Sequence, residues 1–360
     1  MRTTGSTPEP GQADPAAAQS RVEPTPATGC PDPSSESPAA RRTGRHGPGT
    51  LVGIVLGVVA VQALLLTLFA WPALHSAPRD LPVVVAGPAA ATAPVAKQLE
   101  STRPGAFDVT TSTSAARADD KLRDRDAYAA FVVTPRGLRV HVASAASDQI
   151  ATLFRQVAQR TAAQTGRPVP VTDVVPADPD DPHGVVPSIG VLPLALTSMA
   201  AGILLGLLVR TRWGRLVGVL LFAALAGLSS VGIAQYSLSA LPGDYLGNAA
   251  GVAFLALCVS AVLAGLVGLL GLRGAGLGAL IVFVLGIPLS GVTSSPDLLP
   301  TAWGTLGQYL PPGAGGALVR SVAFFDGAGT TRPLAVLAAW TLLGLVLLAL
   351  GRRRRAPLPA

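Results

Sequence analysis

Leu51 to Leu74 reads LVGIVLGVVAVQALLLTLFAWPAL, a run without charge in which Gln62 and Thr67 are the clearly polar side chains. At about 1.5 Å of rise per residue it exceeds the roughly 20 residues that cross about 30 Å of hydrocarbon, so it predicts a transmembrane helix. Arg41, Arg42 and Arg45 precede it and a long mixed-charge segment follows. The positive-inside bias then puts the N-terminus in the cytoplasm and the chain after Leu74 outside. The run is too long, and begins too far into the chain, for the apolar core of a signal peptide, so an uncleaved anchor is expected.

Composition agrees with a polytopic membrane protein: 49% of residues are hydrophobic and 13% charged, with a mean hydropathy of +0.49. The net charge of +7 does not point to nucleic acid, because twelve Lys/Arg balance twelve Asp/Glu between His75 and Val186. The excess lies at span ends and in the closing tail, where it sets topology. Cys30 falls in the tail and Cys258 in a hydrophobic run, so neither a disulfide nor a zinc set is implied.

Residues 1–48 are rich in Pro, Ala, Ser, Thr and Gly without apolar periodicity, the composition of a disordered cytoplasmic tail. Residues 75–186 change character. LPVVVAG (Leu81 to Gly87) and FDVTTSTS (Phe107 to Ser114) read as strands, with short helices over Pro94 to Thr102 and after Ser114. YAAFVVTPRGLRVHVASA (Tyr128 to Ala145) reads as a hairpin turning at Pro135-Arg136-Gly137. Asp148 to Thr165 carries Ile150, Leu153, Phe154 and Val157 at helical spacing, and VPVTDVV (Val169 to Val175) is a last extended run. The sum is an extracytoplasmic β-α-β-α-β-β-α-β domain, expected to fold on its own, with Ser147 as an exposed outer position. Pro176 to Gly184 reads as a linker.

Residues 187–351 hold five further uncharged spans, near Pro187 to Val209, Leu216 to Leu238, Leu246 to Leu272, Gly276 to Ser295 and Pro333 to Gly351. The basic connectors at Arg210, Arg212 and Arg215, at Arg273, and in the closing tail 352–360 then fall on one side, predicting six spans with both termini cytoplasmic. Small residues at Gly202 and Gly206, Gly265 and Gly268, and Gly276 and Gly278 allow helices to approach closely. Pro193 and Pro288 are expected to kink their helices. Residues 301–329 place Trp303, Leu306 and Tyr309 on one helical face, break at Pro311-Pro312-Gly313, then place Leu318, Val322 and Phe325 on another. That pattern predicts an amphipathic helical hairpin at the outer interface.

The order of one span, an outer α/β domain, and five spans with a broken hairpin before the last resembles the ABC-2 type permease superfamily. Within it the chain is most similar to the YhgE/Pip-like actinobacterial branch. The residues that carry the likeness are LPVVVAG after the first span, YAAFVV followed by a proline, LGQYLPPGAGGALVRSVAFF, and PLAVLAAWTLLGLVLLAL near the end. The resemblance implies a homodimeric exporter of a hydrophobic or amphipathic molecule in the plasma membrane, working with a separate cytoplasmic ATPase. On it, Trp303, Tyr309, Pro311, Pro312, Gly313 and Arg320 would shape an outer gate, and Ser229, Ser230 and Gln235 a pathway. Arg210, Arg212 and Arg215 would form a docking loop, although this loop is short for a coupling helix.

Enzymatic readings fail on residue types. Neither Lys97 nor Lys121 follows a glycine, so no P-loop is present, and neither HExxH nor GxSxG occurs. His46, His75, His141 and His183 are scattered, and no cofactor is implied. The spans lack the carboxylates and histidines that ion-driven carriers use. The rival expectation is a non-transporting scaffold whose outer domain binds a cell-surface partner.

Overall fold

The computed structural model describes residues 48–292 and 294–351; the tail up to residue 47 with Cys30, and the closing basic cluster Arg352 to Arg355, lie outside the described residues. The chain divides into two units, residues 1–55 and 56–360. All packing described below lies within the second. Helix α1 (Pro48–Leu74) leads into an alternating region of β1 (Leu81–Ala86), α2 (Ala89–Thr102), β2 (Phe107–Ser112), α3 (Ala115–Arg123), β3 (Ala129–Thr134), β4 (Gly137–Val142), α4 (Asp148–Thr165) and β5 (Val171–Asp173). This is the order that the apolar alternation predicts.

The five strands form one sheet in the order β2-β1-β3-β4-β5, parallel except for the β3–β4 hairpin. Its side chains alternate between two buried faces. Leu81, Val83, Val85, Phe131 and Val140 meet Ile150 and Phe154 of α4 on one face. Val84, Ala86, Ala130 and Val132 meet Ala118 and Leu122 of α3 on the other. Both of these helices start at a serine: the Ser114 hydroxyl accepts from Arg117 N and the Ser147 hydroxyl from Ile150 N. Gly166, at φ 68°, ends α4 in a left-handed turn that suits glycine. Ser147 is therefore buried at its cap, 5% exposed, where the sequence predicts an outer surface position. Neither face is closed by local residues alone: Leu298 belongs to the first cluster and Phe325 to the second.

After this region come α5 (Val185–Ile189), α6 (Val191–Leu208), α7 (Arg212–Gly232), α8 (Tyr245–Leu270), α9 (Leu272–Ala279), α10 (Ile287–Leu289), α11 (Thr301–Gly307), α12 (Pro311–Phe324) and α13 (Thr331–Leu350). A π-helical turn, Ile233–Ser237, extends α7, and another, Leu280–Gly286, joins α9 to α10 just before Pro288. The stretch Val185–Leu208 is interrupted at Gly190, between α5 and α6 and three residues before Pro193, the side on which a proline disrupts a helix, as the sequence predicts.

Five helical stretches are long and apolar enough to cross a membrane: Val185–Leu208, Arg212–Ser237, Tyr245–Leu270, Leu272–Leu289 and Thr331–Leu350. Within the 27-residue α1 the described residues add a further apolar stretch, Val55–Trp71, so they carry five such helices and one shorter apolar stretch where the sequence predicts six spans. Buried share separates them: 72% of the apolar window of Tyr245–Leu270 is buried, against 22–39% for the others. α8 is thus the central helix. The others turn apolar side chains such as Leu208 (72% exposed) and Leu342 (64%) outward, an arrangement stable in hydrocarbon and not in water.

The helices approach α8 through small residues. A Cβ at Gly202 of α6 would lie 2.6 Å from the Ser260 carbonyl, and one at Gly344 of α13 would lie 2.6 Å from Val262 N. Gly276 faces open space. Gly344→Ala should therefore force α13 from α8 at a cost of about 1–3 kcal/mol. Its unfolding temperature in detergent should fall below that of the parent, whereas Gly276→Ala should not lower it.

Candidate functional site

Helix α12 starts with Pro311 and Pro312, whose missing N–H groups are no loss in the first turn. It packs against α8 and α13, and Pro311 to Gly316, Leu318, Val319, Ser321 and Ala323 are all buried. The second half of the hairpin is thus an internal helix along most of its length, without the outward face of an interfacial one. Trp303 on α11 packs on Trp71 of α1 with ring centroids 4.8 Å apart. Tyr309 is half exposed, lies under the Arg332 guanidinium at 4.8 Å, and its carbonyl accepts from Trp340 Nε1 at 2.8 Å.

α12 also meets the sheet region, and polar groups gather at that junction. Arg125, just after α3, has φ 64°, a strained conformation for a residue with a side chain. That backbone aims its guanidinium at α12: Nη1 donates to the Ala317 carbonyl at 3.0 Å and to the Ser321 hydroxyl, and the group lies 5.1 Å from the Phe325 ring centroid. The Tyr128 hydroxyl donates to Asp297 Oδ2 at 2.7 Å and is 3.0 Å from Ser295 Oγ. Arg320 Nη2 donates to the Ser188 hydroxyl at 3.1 Å and to the Val292 carbonyl at 3.4 Å. Gln308 Nε2 donates to the Ser290 carbonyl at 2.8 Å.

The electrostatics of this cluster are those of enclosed cations. Burial draws the Arg125 guanidinium below its ordinary range, opposed by Tyr128 and Asp297. Burial, then the like charge of Arg125, does the same to Arg320. Burial and the neighbouring Asp297 carboxylate keep the Tyr128 phenol protonated well above its usual range. Among the described residues, no carboxylate lies within ion-pair distance of Arg125, Arg320 or Arg332.

Three spaces adjoin Arg320 or its neighbour on α12. A cavity of about 190 Å³ is lined by Arg125, Tyr128, Asp297, Gln308, Arg320 and Arg332. On the other side of Arg320 lies one of about 200 Å³ with Ser144, Ser147, Asp148, His183 and Ser188 in its wall. There Asp148 is engaged by Arg155 at 3.5 Å and by His183 at 2.9 Å. An apolar groove of about 650 Å³ runs between α5–α6 and the second half of α7, and both Ser229 and Ser230 line it. Pro187 belongs to the groove and to the 200 Å³ cavity alike, while Val319 in the groove directly precedes Arg320. Among the described residues no group of three or more His, Cys, Asp or Glu side chains comes together to hold a metal. What the junction offers a ligand is guanidinium, hydroxyl and amide donors beside an apolar surface.

Gln235 stands apart from the groove, its Nε2 donating to the Gly243 carbonyl at 3.1 Å. Of the basic loop, Arg210 and Arg212 are exposed, with Arg212 Nε donating to the Gly351 carbonyl at 3.2 Å. Arg215 is only 2% exposed and donates from Nε to the Val209 carbonyl at 2.7 Å. Sequence reasoning missed Arg125 and Tyr128. One hides in a run of surface charges, the other opens a strand, and both acquire their partners some 170 to 200 residues away.

Comparison with protein-family models, with curated proteins and with solved structures finds no match. The fold and site therefore define a class: a multi-pass membrane protein in which an α/β sheet region meets the helices at an arginine-bearing junction. Tyr128→Phe should leave the Asp297 carboxylate short of a donor and cost about 1–3 kcal/mol. The expected readout is faster hydrogen exchange over residues 294–299 with that of the α8 core unchanged.

Proposed function

We propose that this chain is the membrane subunit of an ABC-2 type exporter that moves a hydrophobic or amphipathic molecule across or out of the cytoplasmic membrane. α1 serves as the sixth span, both termini are cytoplasmic, and the sheet region is extracytoplasmic. The supporting observation is the apolar groove between α6 and α7, which carries Ser229 and Ser230 and shares Pro187 with the cavity lined by Arg320. A groove open on the outer flank of the bundle lets an amphipath enter from the lipid without crossing a polar wall. The outer gate of this scheme is α11 with the start of α12, where Trp303, Tyr309, Pro311, Pro312 and Gly313 lie. Energy comes from a cytoplasmic ATPase, and a second copy of the chain completes the exporter as a homodimer.

One observation favours the alternative of a non-transporting scaffold. With Arg215 buried, the short loop between α6 and α7 offers a partner only Arg210, Arg212 and the 76% exposed Trp213. In that reading the sheet region binds a cell-surface partner and the helices anchor it.

Topology is tested with single cysteines in a background that carries Cys30→Ser and Cys258→Ala. A cysteine replacing Arg136, in the exposed hairpin turn, should react with a membrane-impermeant thiol reagent in intact cells, and one replacing Trp213 should not; the opposite pattern would invert the orientation.

Coupling is tested by Arg210→Gln with Arg212→Gln. The pair should release a co-purifying ATPase while the helices still insert. If no ATPase accompanies the parent protein, the scaffold reading replaces the exporter.

A further inference from the structure

We propose that the chain binds an amphipathic molecule with an anionic, phosphate-type head, its apolar chain lying in the α6–α7 groove and its head held at Arg320. Naming that molecule as cargo rests on the exporter reading; the binding rests on the geometry alone.

The groove and the polar cavity share Pro187 in their walls, and Val319 of the groove directly precedes Arg320 of the cavity on α12. A ligand that fills both must change from hydrocarbon to polar over the same short distance. The sign of its head follows from the donors. A guanidinium carries five N–H groups in a planar fork that matches a phosphate or carboxylate. In Arg320 the bonds to Ser188 and Val292 both come from Nη2, leaving Nη1 and Nε without an acceptor among the described residues.

Both acceptors are neutral, and among the described residues no carboxylate lies within ion-pair distance of Arg320. Asp148, the carboxylate in the same cavity, is taken by Arg155 and His183. Asp297 lines the other cavity at Arg320, not the one that holds Ser188, and accepts from Tyr128, so two guanidiniums, Arg125 and Arg320, stand against one carboxylate there. A neutral or cationic head would leave this positive charge unanswered. An anionic one answers it with charge-assisted hydrogen bonds.

The test uses the full chain purified in a neutral detergent, with phosphatidylglycerol and phosphatidylcholine of identical acyl chains as probes and native mass spectrometry and thermal unfolding as readouts. Phosphatidylglycerol should be retained and raise the unfolding temperature, and phosphatidylcholine should do neither. Arg320→Gln should weaken retention about tenfold, as the loss of one charge-assisted contact implies. Arg160→Gln, a change to an exposed arginine of α4 outside the site, should leave retention unchanged.

Leu225→Trp narrows the groove at a 57% exposed position and should weaken retention without unfolding the protein, so it carries the test if Arg320→Gln does not fold. Equal binding of the two lipids overturns the proposal. So does a phosphatidylglycerol preference that survives Leu225→Trp or a folded Arg320→Gln, or an equal stabilisation by millimolar inorganic phosphate, which would make the occupant a free anion. Loss of discrimination with an ATPase still co-purifying sinks this site and leaves the exporter. Discrimination with no ATPase partner does the reverse.

Discussion

The hydrogen bonds from Arg125 to the Ala317 carbonyl and the Ser321 hydroxyl join parts of the chain that would otherwise keep separate cores. They fix α3 of the sheet region against α12. The same arginine lies over Phe325, whose ring fills one face of the sheet, while Leu298 fills the other. α12 itself is buried against α8 by Ala314, Leu318 and Val319, so one helix shares in both cores. Arg125 and Arg320 together line the cavity of about 190 Å³ at that attachment.

The attachment is made with positive charge, which sets its cost. Arg125 adopts a left-handed backbone, a strain of about 1–3 kcal/mol that persists only where surrounding contacts determine it. Arg320 and Arg125 are partnered by hydroxyls and carbonyls, without a carboxylate in ion-pair range among the described residues. A junction built only for stability would pair these charges or replace them with apolar side chains, since uncompensated buried charge is expensive. The groove between α6 and α7 has the opposite character, with Leu225, Ile233 and Leu238 on its walls. An apolar surface meeting a positive one within a residue is the feature that gives the site its chemistry.

The periodicities carried the fold further than the site. Alternation at Leu81 to Ala86 and at Phe131 to Val142, with turn residues between, is enough to specify strands and their buried faces, because both faces are covered by helices whose own spacing is visible. The cap at Ser114 was legible as a residue type; the one at Ser147 was not. Nor was the burial of Ser147, since it comes from the Ser294 segment packing over it. Ser229 and Ser230 were legible as polar groups in an apolar helix, and they line the groove. Arg320 stood out as the one basic residue of the hairpin 301–329. Arg125 did not, because its partners on α12 are distant in sequence and nothing in a local window tells a tethering arginine from a solvated one. Arg215 misled for the same reason: a basic residue at a helix start reads as exposed, and only the packing beside Gly268 and Gly351 shows it is enclosed.

The two residues that close the sheet, Leu298 and Phe325, have a consequence for how the chain is made. All five strands are synthesised by Asp173, but the residues that complete both faces appear only after α6, α7, α8 and α9 have emerged. Until then the sheet presents two unfinished apolar surfaces. Its maturation is therefore timed by insertion of the helices, and a chain stalled before α12 would hold a sheet region recognisable to quality control as incomplete. The order of translation thereby links the completion of one part of the molecule to the arrival of the other.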